Sequence, residues 1–540
     1  MENLKYATIP IERKFVTLRN YKTEIALISL VLLMSHGLLL INDGCYWEDW
    51  TILRLKDQGW HVLYHNTRVW GNIFMPYLMA LIDSISDSLF IYKFVIFANL
   101  SGATLCVFLL ALDSKAITSF EALWIALLFA SYPGIKTWPA SILLVSHSAC
   151  YFLFFLACFV SIIKLPNTVN RSLKVLYRSL SLVLFYLSFN TNSFLSFYFG
   201  FLLYWFLLER EKAGTPSLNF GSIILFLRSK LDYIFLPFVF WTVKITFYQL
   251  DQAHSSYNRL LWDPISFSKN FLKHIHYTLF QGLDGALLGV LQNPVWSLIL
   301  ILCLFLFMKK YCSSRSNVSE IYYKISPIRL LTLFGLTLLG MALFSYAVVG
   351  KSPIEDEHET RHALLTPLPV AILCVAFSRF FSQKNWHQAR WILLTALLGG
   401  FIISSSGNYL IWQARWIKTR SIMEHLTANP EAGQYSTYII VDEYPIGKEY
   451  DAVTEWIGLF NKIWGGKNRN VFYLRGFSEN STGDPWNDLK RPQAVIRTYN
   501  GAYEDYRFAV LLYYYHRLMS GDAKFKIFLR LFTRVEVTEQ

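Results

Sequence analysis

Residues 88–112 read SLFIYKFVIFANLSGATLCVFLLAL, an apolar run in which Lys93 is the single charged residue. A helix rises about 1.5 Å per residue, so roughly 20 apolar residues cross the hydrocarbon core of a bilayer, about 30 Å thick. The run is therefore long enough to span a membrane. Ten further apolar segments are predicted to do the same, and they are 23–41, 117–133, 141–163, 176–189, 194–208, 231–249, 294–308, 327–349, 362–379 and 391–412.

The composition of the whole chain agrees with a membrane protein. Of its 540 residues, 54% are hydrophobic and only 16% are charged, a balance that indicates a chain lying largely in lipid. The net charge of +13 would suggest a nucleic-acid partner for a soluble protein, but here Lys and Arg fall mainly in short segments between apolar runs. We therefore expect no nucleic-acid partner. None of the seven cysteines follows Cys374, which argues against a disulfide framework or a zinc site.

The positive charges predict the direction of each span, because short basic loops prefer the cytoplasm. Residues 176–208 could form one helix, but basic residues on both sides favour a hairpin with its tip at Asn190–Ser193. The first run lacks a small-residue cleavage site and is predicted to remain as a helix rather than to be removed as a signal. Eleven spans with the N-terminus inside place the C-terminus outside. The basic residues then expected inside are Lys115, Lys164, Arg171, Lys174, Arg178, Arg210, Lys212, Lys309, Lys310, Arg315, Arg379, Lys384 and Arg390.

Three sizeable segments lie outside in this topology: 42–87, 250–293 and everything after about residue 413. Within the first two, residues 51–70 and 265–291 mix aromatic and apolar side chains with charges, a pattern typical of helices that lie in the membrane interface. The outer loops are therefore predicted to contain interfacial helices.

The character of the sequence changes after Trp412, where a short apolar run at 438–441, typical of a buried strand, ends at Asp442-Glu443. The pattern predicts two strands and two helices, at 438–441, 470–474, 452–463 and 507–518 respectively. We therefore expect an α-helical polytopic membrane protein with about eleven transmembrane helices, interfacial helices in its outer loops, and a small C-terminal α/β soluble domain. The predicted domains are a transmembrane domain, 1–412, and an extracytoplasmic domain, 413–540.

Residues 43–50, directly after the first predicted span, read DGCYWEDW. Carboxylates as close as Glu48 and Asp49 can raise the pKa of one of them toward that of a general base, or bind a divalent cation together with Asp43. The neighbouring aromatic side chains, Trp47 among them, would stack on a sugar ring. The segment could equally be the solvated start of a loop with interfacial tryptophans.

A second outer loop, residues 351–362, reads KSPIEDEHETRH. Arg361 and His362 fall where a helix enters the membrane, at the depth of a lipid head group, and a guanidinium pairs well with phosphate oxygens. The same residues could merely anchor the helix in the interface. The acidic residues Glu355, Asp356, Glu357 and Glu359 could be solvated or could form a salt bridge with Arg361.

Several other polar residues could bind a substrate or have a structural role. Lysines near the ends of spans can extend their ammonium groups to the interface, and two alternating histidines without a third ligand favour structure over metal binding. A glycosylation pattern matters only in a eukaryotic lumen. These weaker candidates are Arg68, Asn72, Lys93, Lys136, His147, Lys244, His274, His276 and the acceptor pattern Asn480–Thr482.

The layout from the first span to about residue 412 resembles the GT-C superfamily of membrane glycosyltransferases. Members typically have an acidic motif in a long first outer loop, helices parallel to the membrane, and often a C-terminal soluble domain outside. Glu48-Asp49 resembles the acidic pair of that family, although Glu-Asp replaces the commoner Asp-Asp, which leaves the base open between Asp43, Glu48 and Asp49. Residues 359–362 look like the later basic element that contacts a lipid phosphate in some members.

That resemblance implies a sugar donor linked to polyprenyl or dolichyl phosphate and a glycan, lipid or protein acceptor of the cell envelope. Asp49 is then the favoured base for the acceptor hydroxyl, and Arg361 with His362 would stabilise the departing lipid phosphate. No cofactor is required, and a divalent cation, Mg or Mn, is optional. The expected location is the bacterial inner membrane, with the C-terminal domain in the periplasm. Further substrate-binding candidates are Trp47, Arg68 and Lys136.

Two other functions remain open at the level of the sequence. A transporter or flippase for a lipid-linked glycan should show polar residues at mid-membrane and interrupted helices in related halves, and no inverted repeat is recognisable. A glycan polymerase or ligase of the O-antigen type would concentrate basic residues in a large late outer loop. A non-enzymatic scaffold would leave the acidic motif unexplained.

Overall fold

A computed structural model describes most of the chain, and the features discussed below all lie in it. The predicted glycosylation pattern Asn480–Thr482 and the acidic residues Glu355 and Asp356 lie outside the described residues. The described residues are 21–72, 74–114, 116–212, 220–247, 260, 263–313, 328–351, 353, 357–443, 446, 452–465, 469–474, 493–503 and 505–539.

Before residue 430, the regular secondary structure of the described residues is helical. A π-helical turn, Val160–Lys164, extends one of them, a second, Tyr277–Gln281, joins two others, and a 3-10 helix occupies Glu357–Ala363. The α-helices are α1 (Lys22–His36), α2 (Leu38–Ile41), α3 (Glu48–Asp57), α4 (Trp60–Val69), α5 (Phe74–Asp83), α6 (Leu89–Asp113), α7 (Ser119–Ser131), α8 (Ser141–Phe159), α9 (Leu165–Asn167), α10 (Arg171–Ser188), α11 (Ser193–Lys212), α12 (Phe220–Ser229), α13 (Leu231–Phe247), α14 (Pro264–His276), α15 (Gly282–Gln292), α16 (Pro294–Ser313), α17 (Ile328–Ala347), α18 (Pro367–Gln383) and α19 (His387–Ala428).

Several of these helices could span a membrane, as the sequence predicts. Four stretches within the described residues are long and apolar enough, namely Leu89–Asp113, Ser141–Asn167, Ile328–Ala347 and His387–Ala428. A fifth results if Pro264–Gln292 and Pro294–Lys310, which meet at 112°, count as one broken span. Every one of the eleven predicted segments contains helix. The helices outside these stretches are, taken one at a time, too short or too polar to meet the same criterion. The number eleven therefore stays a prediction.

The predicted hairpin within residues 176–208 is present as two helices. The first ends at Ser188 and the second begins at Ser193. The rings of Phe185 and Tyr198 lie 4.8 Å apart, whereas thirteen residues in one continuous helix would separate them by about 20 Å along the axis. The two helices therefore fold back on each other at the predicted tip.

A buried ion cluster ties three helices together at one end of the bundle. Both oxygens of Glu121, in α7, accept hydrogen bonds of 2.8 Å from Arg379 of α18. Arg390 of α19 donates a third, of 3.1 Å, to the same carboxylate. The sequence analysis used these two arginines only to predict the direction of the spans. In the structure they fix three helices against one another.

The last long helix, α19, does not stop at the predicted domain boundary. It runs for 42 residues without a break, about 63 Å at 1.5 Å per residue, roughly twice the thickness of a hydrocarbon core. Its final turns supply Ile422 and Leu426 to the core beneath the C-terminal sheet. The helix is therefore part of both predicted domains.

The C-terminal part is a small mixed sheet with helices packed on it. The strand order is β2-β1-β3-β4, with β1 parallel to both of its neighbours and β3 antiparallel to β4. Tyr438 and Ile440 of the central strand are fully buried against α19. Two strands and two helices lie where the sequence predicts them, while β3 and β4 were not predicted. The elements, after a 3-10 turn at Pro430–Gln434, are β1 (Thr437–Asp442), α20 (Ala452–Trp464), β2 (Asn470–Leu474), β3 (Gln493–Asn500), α21 (Tyr506–Met519), α22 (Asp522–Phe532) and β4 (Thr533–Glu539).

Candidate functional site

The acidic loop, residues 42–50, connects α2 to the start of α3 and is held from one side by a lysine. The ammonium of Lys93, in α6, donates to the carbonyl of Asn42 at 2.7 Å, to its side-chain oxygen at 2.6 Å, and to the carbonyl of Gly44 at 2.8 Å. Lys93 is fully buried. A buried ammonium with three acceptors does not extend to the interface, so its role is to fix the loop.

The C-terminal domain holds the acidic loop from the other side, through Asp43. Its Oδ2 accepts hydrogen bonds of 2.8 Å from the Tyr513 hydroxyl and from Arg517, both in α21. Its Oδ1 accepts one of 3.2 Å from Gln413 in α19. Both oxygens of Asp43 are thus engaged in joining the loop to the domain, which argues against Asp43 as the base.

Trp47 takes a backbone conformation that is rare for any residue except glycine, with φ 48° and ψ −123°. Its peptide N–H donates to Oε1 of Glu455, in α20, at 2.8 Å. Its buried indole ring lies 4.5 Å from that of Trp412. Such a conformation costs about 1–3 kcal/mol and persists only where surrounding contacts impose it.

The two adjacent carboxyl groups of the loop lie in opposite environments. Glu48 is exposed in the first turn of α3, whereas Asp49 is fully buried. Oδ1 of Asp49 accepts the N–H of Leu143, at the start of α8, at 2.9 Å. Oδ2 is buried and forms no hydrogen bond of normal geometry within the described residues.

The environment of Asp49 gives it the acidity that a base needs near neutral pH. Burial raises the pKa of Asp49 to about 7, against the opposing effects of the Leu143 N–H and the Lys93 ammonium. A carboxyl whose pKa is raised toward neutral pH can exchange a proton with a substrate there. Of the three predicted carboxylates, the structure therefore favours Asp49.

Behind Trp47, a polar cavity of about 50 Å³ separates the loop from the C-terminal domain. Arg415 and Lys418 of α19 line one wall, and Asp442 at the end of β1 and Glu455 line another. Lys418 forms a 2.6 Å ion pair with Asp442. Burial raises the pKa of the Glu455 carboxyl, while the guanidinium of Arg415 and the ammonium of Lys418 oppose that shift. The sequence analysis missed this cavity because its charged residues come from three separate elements, α19, β1 and α20, whose packing could not be predicted.

The predicted phosphate-binding residues lie in a second group of polar side chains, the basic cluster, consisting of Lys244, Lys351, Arg361 and His362. Burial and the positive charges of Arg361 and Lys244 lower the pKa of Lys351 to about 7, against the charge of Glu359. Nδ1 of His362 lies 2.7 Å from Oε2 of Glu359. Arg361 and His362 are thus brought together with two lysines that the sequence analysis had ranked low or omitted.

The basic cluster is built around the tip of the α10–α11 hairpin and the C-terminal end of α17. Lys244 donates to the side-chain oxygen of Asn192, in the hairpin tip, at 2.7 Å. His274 packs parallel to the ring of Tyr346 and its Nε2 lies 2.8 Å from the carbonyl of Lys351. Helices that are distant in sequence therefore converge on this cluster.

A single segment connects the basic cluster to the acidic loop. The Lys136 N–H donates to Oγ1 of Thr360 at 3.0 Å, and the Leu143 N–H, seven residues later, donates to Asp49. Seven residues span at most about 25 Å. The observed contact of Lys136 is thus made by its backbone, and its predicted role in substrate binding stays a prediction.

The remaining predicted candidates lie apart from Asp49 or have structural partners. The guanidinium of Arg68 donates to the carbonyl of Phe247, at 2.9 and 3.2 Å, three residues beyond Lys244. The side chain of Asn72 donates to Ser146 at 3.4 Å. His276 packs on the ring of Phe280, whereas His274 packs on that of Tyr346, so the two histidines have different surroundings. Within the described ranges, no three His, Cys, Asp or Glu side chains are grouped as metal ligands.

Comparisons with known proteins return no match to this chain. No protein-family model, no curated protein and no solved structure is similar to it. The chemistry of the site is therefore inferred from its own residues, chiefly Asp49 and the basic cluster.

Proposed function

We propose that this protein is a membrane glycosyltransferase of the GT-C type that transfers a sugar from a polyprenyl-phosphate donor to a hydroxyl of a glycan, lipid or protein acceptor. The observation that carries the proposal is Asp49, a buried carboxyl with a pKa of about 7 and an oxygen that makes no hydrogen bond within the described residues. The proposal includes eleven spans and a location in the bacterial inner membrane. Its reaction takes place at the periplasmic face, where the C-terminal domain lies.

In the proposed reaction Asp49 is the general base. Its Oδ2 takes the proton of the acceptor hydroxyl while the hydroxyl oxygen forms a bond to the anomeric carbon of the donor sugar. The bond from that carbon to the phosphate oxygen breaks, and polyprenyl phosphate leaves with the electron pair. Direct displacement inverts the anomeric configuration. A pKa close to the working pH is the condition under which a general base is most effective.

The basic cluster is proposed to bind the phosphate of the donor. Arg361, Lys244 and Lys351 supply positive charge to the phosphate oxygens, on which negative charge accumulates as the sugar leaves. The hairpin tip and the end of α17 place these side chains at the ends of apolar helices, where the head group of a membrane lipid lies. The polyprenyl tail would remain among the helices.

The proposed reaction requires an open and a closed state. Both oxygens of Asp49 are buried here, so an acceptor reaches Oδ2 only after the acidic loop or the start of α8 has moved. Closure around the acceptor then excludes water and restores the environment that raises the pKa of Asp49. In this proposal the structure corresponds to the closed state.

The neighbouring carboxylates make this assignment testable with matched variants. Purified protein is incubated with a panel of polyprenyl-phosphate hexoses and pentoses and with membrane extract as the source of acceptor, and released polyprenyl phosphate is measured. Asp49→Asn should reduce release by about 100-fold or more, because general-base catalysis typically contributes that much. The exposed neighbour variant Glu48→Gln should stay close to wild type.

Full release by Asp49→Asn would show that Asp49 is not the base. No release by the wild-type protein from any of these donors would contradict the donor class. Turnover of a pyrophosphate-linked oligosaccharide instead would favour a polymerase or ligase. Movement of that lipid across proteoliposomes without cleavage would favour a flippase.

A further inference from the structure

We infer that Glu455 of the C-terminal domain is a positioning residue that holds the acidic loop closed, in the conformation in which Asp49 reacts. The inference rests on the proposed function of Asp49 and adds a residue from a different part of the chain. Glu455 lies 408 residues beyond Trp47, the residue whose peptide it binds at 2.8 Å. Its side chain does not touch the reacting atoms.

The backbone of Trp47 needs a partner that fixes its orientation. The buried indole ring packs among Cys45, Trp412 and Trp416, but such packing is non-directional. The hydrogen bond from the Trp47 N–H to Glu455 is directional, and its acceptor carries charge when ionised, which strengthens the bond. The hydrogen bond to Glu455 therefore contributes directly to holding Trp47 in the φ 48° conformation.

The position of Asp49 follows from the conformation of Trp47. The Asp49 N–H donates to the carbonyl of Tyr46 at 2.9 Å, and the Trp50 N–H donates to that of Trp47 at 3.2 Å. These two bonds form the turn that starts α3. A rotation of the peptide between Tyr46 and Trp47 reorients this turn and separates Asp49 from the Leu143 N–H that holds it.

The face of α20 that carries Glu455 is shaped to receive the acidic loop. Gly458, three residues later and thus on the same face, leaves room for Trp50, since a Cβ there would lie 2.6 Å from the Trp50 Cβ. Arg415 and Lys418 supply positive charge next to the Glu455 carboxyl, and Asp442 supplies negative charge. Gly458 and Glu455 together allow this face of α20 to pack against the acidic loop.

Cys45 reports on the closed state without any substrate. Its side chain is 3% exposed, and burial together with the charges of Asp49 and Glu455 raises the pKa of its thiol. Full-length protein in detergent is treated with N-ethylmaleimide, and alkylation of Cys45 is followed by peptide mass spectrometry. Loss of a hydrogen bond to a charged group is worth a factor of about ten or more in a local equilibrium, so Glu455→Ala should accelerate alkylation by at least that factor.

Two matched variants separate positioning from loss of structure. Glu455→Gln keeps an oxygen that can accept the Trp47 N–H, so it should protect Cys45 as the wild type does. Asn461→Ala, on the same helix, should also leave the rate unchanged. Equal rates in Glu455→Ala and wild type would overturn the inference, and so would a Glu455→Gln variant that reacts as fast as Glu455→Ala.

Transfer activity supplies the second readout. Glu455→Ala should lower kcat with little change in the KM for the donor, and Glu455→Gln should restore kcat. An increase of kcat in Glu455→Ala would contradict the inference, because the hydrogen bond from Trp47 to Glu455 would then slow the reaction. Alkylation requires no donor, so full activity in Asp49→Asn would refute the proposed function while the result for Glu455 and Cys45 still stands.

Discussion

Three carboxyl groups within seven residues acquire three different roles through their surroundings. Asp43 accepts hydrogen bonds from the C-terminal domain, Glu48 is exposed, and Asp49 is buried, with the Leu143 N–H donating to its Oδ1. All three lie in the short segment DGCYWEDW, and this local sequence alone does not distinguish them as possible bases. Burial separates them, because removing a carboxylate from water raises its pKa.

The environment of Asp49 predicts how transfer responds to pH. The base acts when deprotonated and its pKa is raised to about 7, so the rate should be low at pH 5 and increase through about pH 7 toward a plateau. The measurement is kcat/KM for donor and acceptor between pH 5 and 9. Glu48→Gln should keep the same midpoint. A wild-type profile that is flat across this range would contradict Asp49 as the titrating base.

The resemblance already favoured Asp49 as the base, but the contacts that distinguish it from its neighbours could not be read from the sequence. The decisive contacts come from Leu143 and Lys93, which are remote in the chain and unremarkable as single residues. Glu455 and Lys351 were missed for the same reason. Their significance arises only when distant segments meet.

At the scale of elements, the predictions succeeded where local pattern determines structure. The apolar runs form helices, the tip Asn190–Ser193 forms the turn of a hairpin, and Asn470–Leu474 forms a strand with the predicted ends. Helix α19 continues beyond the predicted span end at Trp412, and its last turns pack into the core under the sheet through Ile422 and Leu426. Strands β3 and β4 contain fewer consecutive apolar residues than β1 and β2, which were predicted from such runs.

The ion cluster of Glu121, Arg379 and Arg390 predicts a measurable contribution to stability. Glu121→Gln removes the charge that compensates two buried guanidinium groups, so the free energy of unfolding should fall by about 3–5 kcal/mol. Thermal unfolding in detergent measures it. The control is Glu536→Gln, which removes a partner of Arg534 in an exposed pair, where about 0–1 kcal/mol is expected. Equal effects of the two variants would contradict the structural role of the cluster.

At the scale of the whole molecule, one side of the helical bundle carries the acidic loop, the basic cluster and the C-terminal domain. Asp43 and Trp47 connect the first loop to the domain, and the segment from Lys136 to Leu143 connects that loop to the cluster. Composition and charge predicted this grouping on one face. They could not predict that the domain would participate in holding the loop.

The predicted orientation of that face can be measured with single cysteines. Ser84 and Val169 are both exposed, and the topology places Ser84 outside and Val169 inside. A membrane-impermeant maleimide should label Ser84→Cys in intact cells and Val169→Cys only after permeabilisation. Asn190→Cys, in the hairpin tip, should behave like Ser84→Cys. The reverse pattern would contradict the orientation, and labelling of Asn190→Cys only after permeabilisation would contradict the count of eleven.

The unbroken helix α19 sets both the height and the azimuth of the domain above the bundle. One residue inserted near Trp412 would turn everything beyond it by about 100° and raise it by about 1.5 Å. Asp43 and Trp47 would then face a different side of the domain. Two added turns would nearly restore the azimuth but leave a gap of about 10 Å. Unlike a loop, this stretch should therefore tolerate exchanges of residue type far better than any change of length.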